Sequence, residues 1–304
     1  MSDIDVVIIG AGVAGLTAAI QAARIGLRVM VVAEMGVGGQ VINAPRIENY
    51  PGFADGVAGV ELGPMLHEQA EAVGAEFTFD TIEAIEREGG RWIARGAGET
   101  LAARAIIVAA GSLPRALGVA GEERLKGRGI SHCASCDGPL YRGKRVFVAG
   151  GGDAAFDEAL TLAEFARDVV ILCRGAAPRA QKILRDRVAA TANISVLTST
   201  AIEEIRGDAT VSELLVRGPD GAARVEPADG LFVQIGLEPN TRFLDGQLAL
   251  APDGRIIVDA MMRTSMAGVF AAGDIRADSV ALLAASAGDG ATAAVAVARY
   301  LATA

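Results

Sequence analysis

The sequence predicts an α/β protein of two three-layer units, the second inserted into the first. Three observations predict it. A strand, glycine turn, helix and strand open the chain, and the same pattern returns near residue 145. The stretch that follows the second pattern is too short to fold alone, so it joins the first unit. The 304 residues exceed one typical core, and a 51% hydrophobic content can fill two.

Residues 4–9 are continuously apolar and read as a buried strand. Residues 14–25 place Leu16, Ala19, Ile20 and Ala23 on one helical face, Gly26 ends that helix, and residues 28–33 form the next strand. The turn between is Gly10-Ala11-Gly12-Val13-Ala14-Gly15. In a G-x-G-x-x-G turn the first glycine permits the tight bend and the second admits a pyrophosphate to the backbone. The third lets helix and strand pack closely. Glu34 ends the next strand, 19 residues after Gly15, where an acid can hold ribose hydroxyls. This is a Rossmann-like, dinucleotide-binding opening.

The second opening runs through strand 145–149, the turn Gly150-Gly151-Gly152-Asp153-Ala154-Ala155, a helix over 155–166 and strand 169–172. It fits G-x-G-x-x-A. Its second strand ends at Leu172-Cys173-Arg174, with Arg179 five residues on and no acid. Arginines there suit a 2′-phosphate, hence NADPH, because guanidinium grips phosphate in two-point fashion. The plainer alternative is that both are surface charges.

Residues 109–123 and 235–246 read as connections, each a buried strand running into Gly and Pro. A strand-like 268–274 and a Gly- and Ala-rich helix over about 280–301 follow. The resulting division is 1–115 and 243–304 for the first dinucleotide domain, with 116–242 inserted.

A net charge of −9 and a pI near 4.9 argue against nucleic-acid binding. No apolar run reaches the roughly 18 residues of a membrane span. The start of the chain lacks the basic and small-residue features of a signal peptide. Three cysteines are too few for a disulfide-framed secreted protein, which points to the cytoplasm.

Two of the three form Cys133-Ala134-Ser135-Cys136-Asp137-Gly138. Cysteines at this spacing can close a small ring and reopen it, and the motif can lower a thiol pKa. Asp137 is placed to move protons as general acid and base. A zinc site needs about four ligands, and only Cys173, His67 and His132 remain, without a second CxxC, so no metal is expected. Cys173 reads as a packed thiol and His67 as a surface residue on a helix. His132 is an incidental neighbour of Cys133 or a group that favours its thiolate.

The segments GAGVAG (10–15), GGQ (38–40), ENYPGF (48–53), AAGSLP (109–114), CASCDG (133–138), GGGDAAFDEAL (150–160), IGLEPNT (235–241) and GVFAAGDI (268–275) span nearly the whole chain. In order and spacing they resemble the low-molecular-weight thioredoxin reductases, FAD-dependent pyridine nucleotide-disulfide oxidoreductases. The resemblance implies FAD in the first domain, held by Gly10, Gly12, Gly15, Glu34, Gly39, Gln40, Asn49, Gly111, Gly273, Asp274, Ile275 and Leu282. It implies NADPH in the inserted domain, at Gly150, Gly152, Asp153, Ala154, Ala155, Arg174 and Arg179. Cys136 would lie nearer the flavin, Cys133 would attack the protein substrate, and Asp137 would be the proton-transfer acid. A thioredoxin-like partner, a homodimer and hinges at the two connections are implied with it.

Two departures from the family pattern stand out. The family's nucleotide clamp reads His-Arg-Arg with a later Arg, whereas this chain has Cys173, Arg174, Gly175 and Arg179. Where the family has Arg-Gln beside the isoalloxazine, this chain has Ala281-Leu282. Weakened NADPH preference follows, with NADH or another donor as an alternative. A dithiol oxidase, or a reductase fed by ferredoxin or flavodoxin, is the competing function. A non-catalytic redox sensor that binds FAD is a third.

Overall fold

The computed structural model describes residues 3–34, 36–244 and 246–303. Asp245, inside the second expected connection, lies outside them. The chain divides into one unit of Met1–Leu113 with Glu238–Ala304 and another of Pro114–Leu237. Seven α-helices are described: α1 (Val13–Arg24), α2 (Gly59–Ala72), α3 (Glu122–Leu125), α4 (Ala134–Asp137), α5 (Asp153–Ala163), α6 (Lys182–Ala190) and α7 (Leu283–Leu301).

In the first unit the strand order is Glu76–Phe79, Val29–Ala33, Ile4–Ile9, Thr100–Val108, Arg91–Gly96 and Ile82–Glu88. The first four run parallel and the last two add antiparallel neighbours. Val269–Ala271, from the C-terminal segment, pairs in parallel with Ile106–Val108 and so completes this sheet. The central strands bury both faces, which explains their near-continuous apolar sequence. Val6, Ile8, Val29 and Val31 pack under α1, α2 and α7. Val7, Ile9, Val32, Ile106 and Val108 pack with Trp92, Ile85 and Ile256 on the opposite face. Helices α1 and α7 cross closely: a Cβ on Gly290 would stand 2.1 Å from the Ala14 carbonyl oxygen.

The second unit has a parallel sheet in the order Ile194–Leu197, Asp168–Leu172, Arg145–Ala149, Gly230–Val233 and Ile130–Ser131. Helices α5 and α6 cover one face through Phe156, Ala159, Leu162 and Val188. An antiparallel meander, Ala201–Arg206, Glu213–Arg217 and Ala223–Pro227, covers the other through Ile205, Leu214 and Val216. Each unit is thus three layers around a parallel sheet, the architecture expected from two Rossmann-like openings.

The chain leaves and re-enters the first unit between residues 113 and 114 and between 237 and 238. The Asn240 N–H bonds the Gly111 carbonyl on the first unit's side, and the Arg115 N–H bonds the Gly236 carbonyl on the second's. Among the described residues no helix is long and apolar enough to cross a membrane.

Candidate active site

Three constructions carry chemistry, and each is built locally. The first surrounds the opening glycine turn. Gly10 has φ +108°, and a Cβ there would meet the Ala109 carbonyl oxygen at 2.3 Å. A Cβ on Gly15 would meet the Gly10 carbonyl oxygen at 1.9 Å. These two glycines are required by the protein's own packing. Gly12 differs: nothing lies within 4 Å of its Cβ position. The open space above it belongs to a cavity of about 540 Å³ in the first unit.

Gly10, Gly12, Glu34, Gly39, Gln40, Gly111, Gly273 and Asp274 all line this cavity. They come from five separate stretches of sequence, and the fold brings them together. The Gly38 N–H bonds the Ala11 carbonyl at 2.8 Å, which straps the Gly39–Asn43 turn to the glycine turn. Gln40 donates from Nε2 to the Ser112 carbonyl. Asp274 is held by the hydroxyls of Ser279 at 3.0 Å and Ser286 at 3.3 Å. Behind it, Asp289 accepts two bonds from the Arg276 guanidinium, at 2.6 and 2.9 Å, and one from the Gly273 N–H at 3.2 Å. That pair is nearly buried and fixes the 273–276 turn to α7.

Four expected residues do not line the cavity. Gly15 acts in helix–strand packing, Asn49 is exposed on a loop, and Ile275 is wholly buried. Leu282 is the exposed residue before α7, and its neighbour Leu283 faces the cavity instead. Sequence reasoning missed Asp80, Thr81 and Glu83, which line the cavity, and Thr81, whose hydroxyl reaches Glu34 at 3.5 Å. No motif marks them: Asp80 and Thr81 connect the sheet's two edge strands, Glu76–Phe79 and Ile82–Glu88, and Glu83 lies at the start of the latter. Ser286 was legible only as a polar residue within an apolar helix.

The cavity fits an FAD dinucleotide. Helix α1 begins at it with no side-chain cap and no acid in its first turn. Its first N–H groups therefore remain available to a pyrophosphate, and the helix dipole favours one. Glu34 at the far strand end supplies an acceptor for ribose hydroxyls.

The second construction is the glycine turn of the inserted unit. A Cβ on Gly150 (φ +151°) would meet the Gln234 carbonyl oxygen at 2.2 Å, while nothing lies within 4 Å of that on Gly152. Ala155 is fully buried in the third position and packs against Gly150. Ala154 is exposed beside it. Asp153, the first residue of α5, accepts the Gln181 N–H at 2.7 Å and the Gln181 Nε2–H at 2.6 Å. Arg179 and Ala180 donate their N–H groups to the Gly151 carbonyl. The loop of Arg174 and Arg179 is thereby tied to the glycine turn, and both arginines are exposed, with no side-chain partner among the described residues. Cys173 is a buried free thiol under Gly151.

The third construction is the cysteine pair. Cys133 and Cys136 form a disulfide, with Cα atoms 5.4 Å apart. Cys133 stands before the short helix α4, and its Sγ accepts the Cys136 N–H at 3.2 Å. Cys133 is half-buried and Cys136 exposed. The Asp137 carboxylate accepts the Ser131 hydroxyl at 2.6 Å, and the Ser131 oxygen accepts the Cys133 N–H at 3.1 Å. Ser131 is buried, so the acid beside the disulfide is held by a fixed group that sequence reasoning missed. Tyr141 is pushed up by burial and, secondarily, by the Asp137 charge. His132 is turned away to the backbone, its Nδ1 2.9 Å from the Val233 carbonyl oxygen. His67, expected at the surface, is half-buried against the Phe77 ring and 3.7 Å from Glu71. It packs because the α2 face that carries it lies over the edge strand.

Glu158 on α5 was also missed. Its carboxylate accepts the N–H of Ala134, the residue after Cys133. Burial, with the charge of Asp157 added, pushes it up to about 7 against the opposing pull of that hydrogen bond.

The model of the pyridine nucleotide-disulphide oxidoreductase family matches residues 4–298. A thioredoxin reductase of Listeria innocua is 40% identical over 289 residues, covering 94% of this chain and 90% of that protein. The thioredoxin reductase of Treponema pallidum is 39% identical over 310 residues, covering 99% and 98%. The crystal structure of Lactococcus lactis thioredoxin reductase superposes with a TM-score of 0.96 at 35% identity, covering 99% of this chain and all of that one. Its counterpart from T. acidophilum gives 0.94 at 33% identity, covering 100% and 99%. Matched over nearly its whole length by that family model and by these relatives, the chain belongs to the pyridine nucleotide-disulphide oxidoreductase family, and within it to the thioredoxin reductases.

Proposed function

We propose that this chain is a thioredoxin-disulfide reductase that takes electrons from NAD(P)H and delivers them through FAD and the Cys133–Cys136 pair to a thioredoxin-like protein disulfide. The observation that carries the proposal is the disulfide itself. It closes a four-residue ring, exposes one sulfur and stands beside a carboxylate anchored by a buried serine. Such a ring opens and closes with little rearrangement of its surroundings.

Each part of the chain has a task in that scheme. Gly10, Gly12 and the start of α1 hold the FAD pyrophosphate, Glu34 its ribose, and Gly39, Gln40, Gly111, Gly273 and Asp274 its remaining length. Gly15, Asn49, Ile275 and Leu282 support that site from outside the cavity. FAD supplies a two-electron relay between a nicotinamide and a disulfide. Gly150, Gly152, Asp153, Ala154 and Ala155 form the nicotinamide dinucleotide's phosphate turn, with Arg174 and Arg179 offered to a 2′-phosphate. Opening the Cys133–Cys136 bond takes two electrons and two protons, and Asp137 holds one of those protons, oriented by Ser131. The reduced pair then passes two electrons to the partner's disulfide through a mixed disulfide. Residues 1–115 and 243–304 serve as the flavin domain and 116–242 as the nucleotide domain. A homodimer and a cytoplasmic setting accord with the family resemblance.

The two sulfurs divide the exchange between them. Hydrogen bonding from the Cys136 N–H favours a thiolate at Cys133, whereas exposure favours Cys136 as the sulfur that a bulky partner reaches. Cys136→Ser trapped on thioredoxin through Cys133 assigns attack to Cys133, as the family resemblance implies. A stable adduct of Cys133→Ser through Cys136 assigns it to Cys136.

Anaerobic mixing of the yellow protein with NADPH, and separately with NADH, tests the electron route. Rapid bleaching by either supports it. A second reading, with another electron donor or oxygen as acceptor, is favoured by Gly175 in the arginine loop and by the exposed apolar Leu282. It requires that neither nucleotide bleaches the flavin while dithionite or a dithiol does.

A further inference from the structure

Helix α5 serves two places in the inserted unit. Its first turn carries the glycine-turn residues, and Glu158 lies five residues along, about 7.5 Å further down the axis. There its carboxylate accepts the N–H of Ala134 and so touches the backbone between the two cysteines. No positively charged side chain bonds to it; this N–H is the only partner recorded among the described residues. The charges on the neighbouring elements are occupied elsewhere. Asp137, on α4, takes Ser131, and Asp153, on α5 itself, takes Gln181. Lys182 pairs with Asp186 on α6, Arg145 with Glu226, and Asp168 with Arg167. Arg185 and Arg187 of α6 are exposed, and His132, ahead of α4, is held by a carbonyl. The Asp157 charge acts on Glu158 and makes its ionisation harder.

We propose that Glu158 is a positioning residue whose charge is linked to that of the reduced cysteine pair: as a carboxylate it fixes Ala134 and opposes a Cys133 thiolate, and as a carboxylic acid it permits one. The inference rests on the dithiol reading of the pair. In the linked step one proton leaves the Cys133 thiol and one is taken up by the Glu158 carboxylate. No electrons move, and the total charge is unchanged. Two such groups titrate as a pair rather than singly. Burial raises the Glu158 carboxyl to about 7, within reach of such an exchange at neutral pH. Reduction of the disulfide would thereby draw a proton onto Glu158 whenever Cys133 ionises.

The test uses the FAD-loaded protein carrying Cys136→Ser, reduced with a phosphine. The rate of Cys133 alkylation by iodoacetamide is followed by mass spectrometry from about pH 5 to 9. Glu158→Gln keeps an acceptor for the Ala134 N–H and removes the charge. It should move the alkylation profile to lower pH by about one unit, roughly tenfold faster reaction on the acid side. Glu158→Ala should give the same shift and, in the protein that keeps both cysteines, also lose thioredoxin turnover, because Ala134 is no longer held. Superimposable profiles for the parent, E158Q and E158A proteins overturn the proposal, whatever happens to turnover. The readout needs neither nucleotide nor thioredoxin, so it stands apart from any failure of the electron route.

Discussion

The two glycine turns share one pattern and differ in what enforces it. In the first unit the third position must be glycine, since a Cβ on Gly15 would enter the Gly10 carbonyl at 1.9 Å. In the inserted unit the same position is Ala155, fully buried and accommodated. The acids that anchor the neighbouring loop of each site differ as well. Asp289 holds the Gly273–Arg276 turn from a nearly buried site, whereas Asp153 holds the arginine loop from a half-exposed one. The first unit is built around fixed, buried contacts, as befits a site for a resident group. The second ties its ligand-facing loop with accessible polar bonds, as befits a site whose ligand comes and goes.

The comparison breaks most sharply at the third position. Gly15→Ala should cost about 4 kcal/mol or more, the range of an exceptional substitution, and yield colourless protein. Ala155→Gly should cost only about 1 kcal/mol and leave the flavin bound. Flavin content and thermal midpoints of the two variants read the difference. Equal losses would mean that the turns are equivalent after all.

The anchoring acids come next. Asp289→Ala strands the Arg276 guanidinium in a nearly buried site, which typically costs about 3–5 kcal/mol. Asp153→Ala removes hydrogen bonds to Gln181 that water can replace, about 1 kcal/mol. Urea midpoints should separate the two. The Asp289 variant should also release FAD, because the 273–276 turn carries Asp274.

Much of this was legible in the sequence, and the physical reason is locality. Strand 4–9, helix α1 and the turn between them are written in adjacent residues, so period and glycine spacing suffice. The insertion was legible because the stretch after the second opening is too short to fold alone, and its strand Val269–Ala271 does pair within the first sheet. Asp80, Thr81 and Glu83 were not legible, because the connection between two edge strands and the start of the second reach the cavity only through tertiary folding. Ser131 and Glu158 were missed for a related reason. Their roles arise from single hydrogen bonds, to Asp137 and to Ala134, that no spacing rule encodes. The expectation that all the family's flavin residues would face one cavity also depended on tertiary placement, and Leu282 and Leu283 exchange places there.

A pH dependence sharpens the comparison, because the elevated carboxyl belongs to the inserted unit. Glu158 is pushed up to about 7 from 4.5, so the folded state favours its neutral form. Its stabilising contribution is complete below pH 4.5 and is lost as pH rises through about 7. The loss has an upper bound of about 3 kcal/mol, which solvent reaching a half-buried side chain reduces. Glu158→Gln should flatten the stability profile of the oxidised protein in that window. An unchanged slope between pH 5 and 7 by denaturant melts would show that the carboxyl is not elevated in the fold.

The smallest expected effect concerns the arginine loop, and it decides what the inserted unit prefers to bind. Gly175 has no left-handed backbone requirement, and a Cβ there would meet the Ala177 carbonyl oxygen at an ordinary 3.4 Å. An arginine side chain can therefore be introduced without strain. A hydrogen bond to a charged group contributes about 1.5–3 kcal/mol, or about 10- to 150-fold in affinity. Gly175→Arg should lower the KM for NADPH by a factor in that range, leave the KM for NADH unchanged, and leave kcat with either nearly constant. That split is expected because the new contact would act on bound phosphate rather than on the reacting atoms. If both KM values stay put, the loop of Arg174 and Arg179 does not meet a 2′-phosphate, and its exposed guanidinium groups serve a different anion.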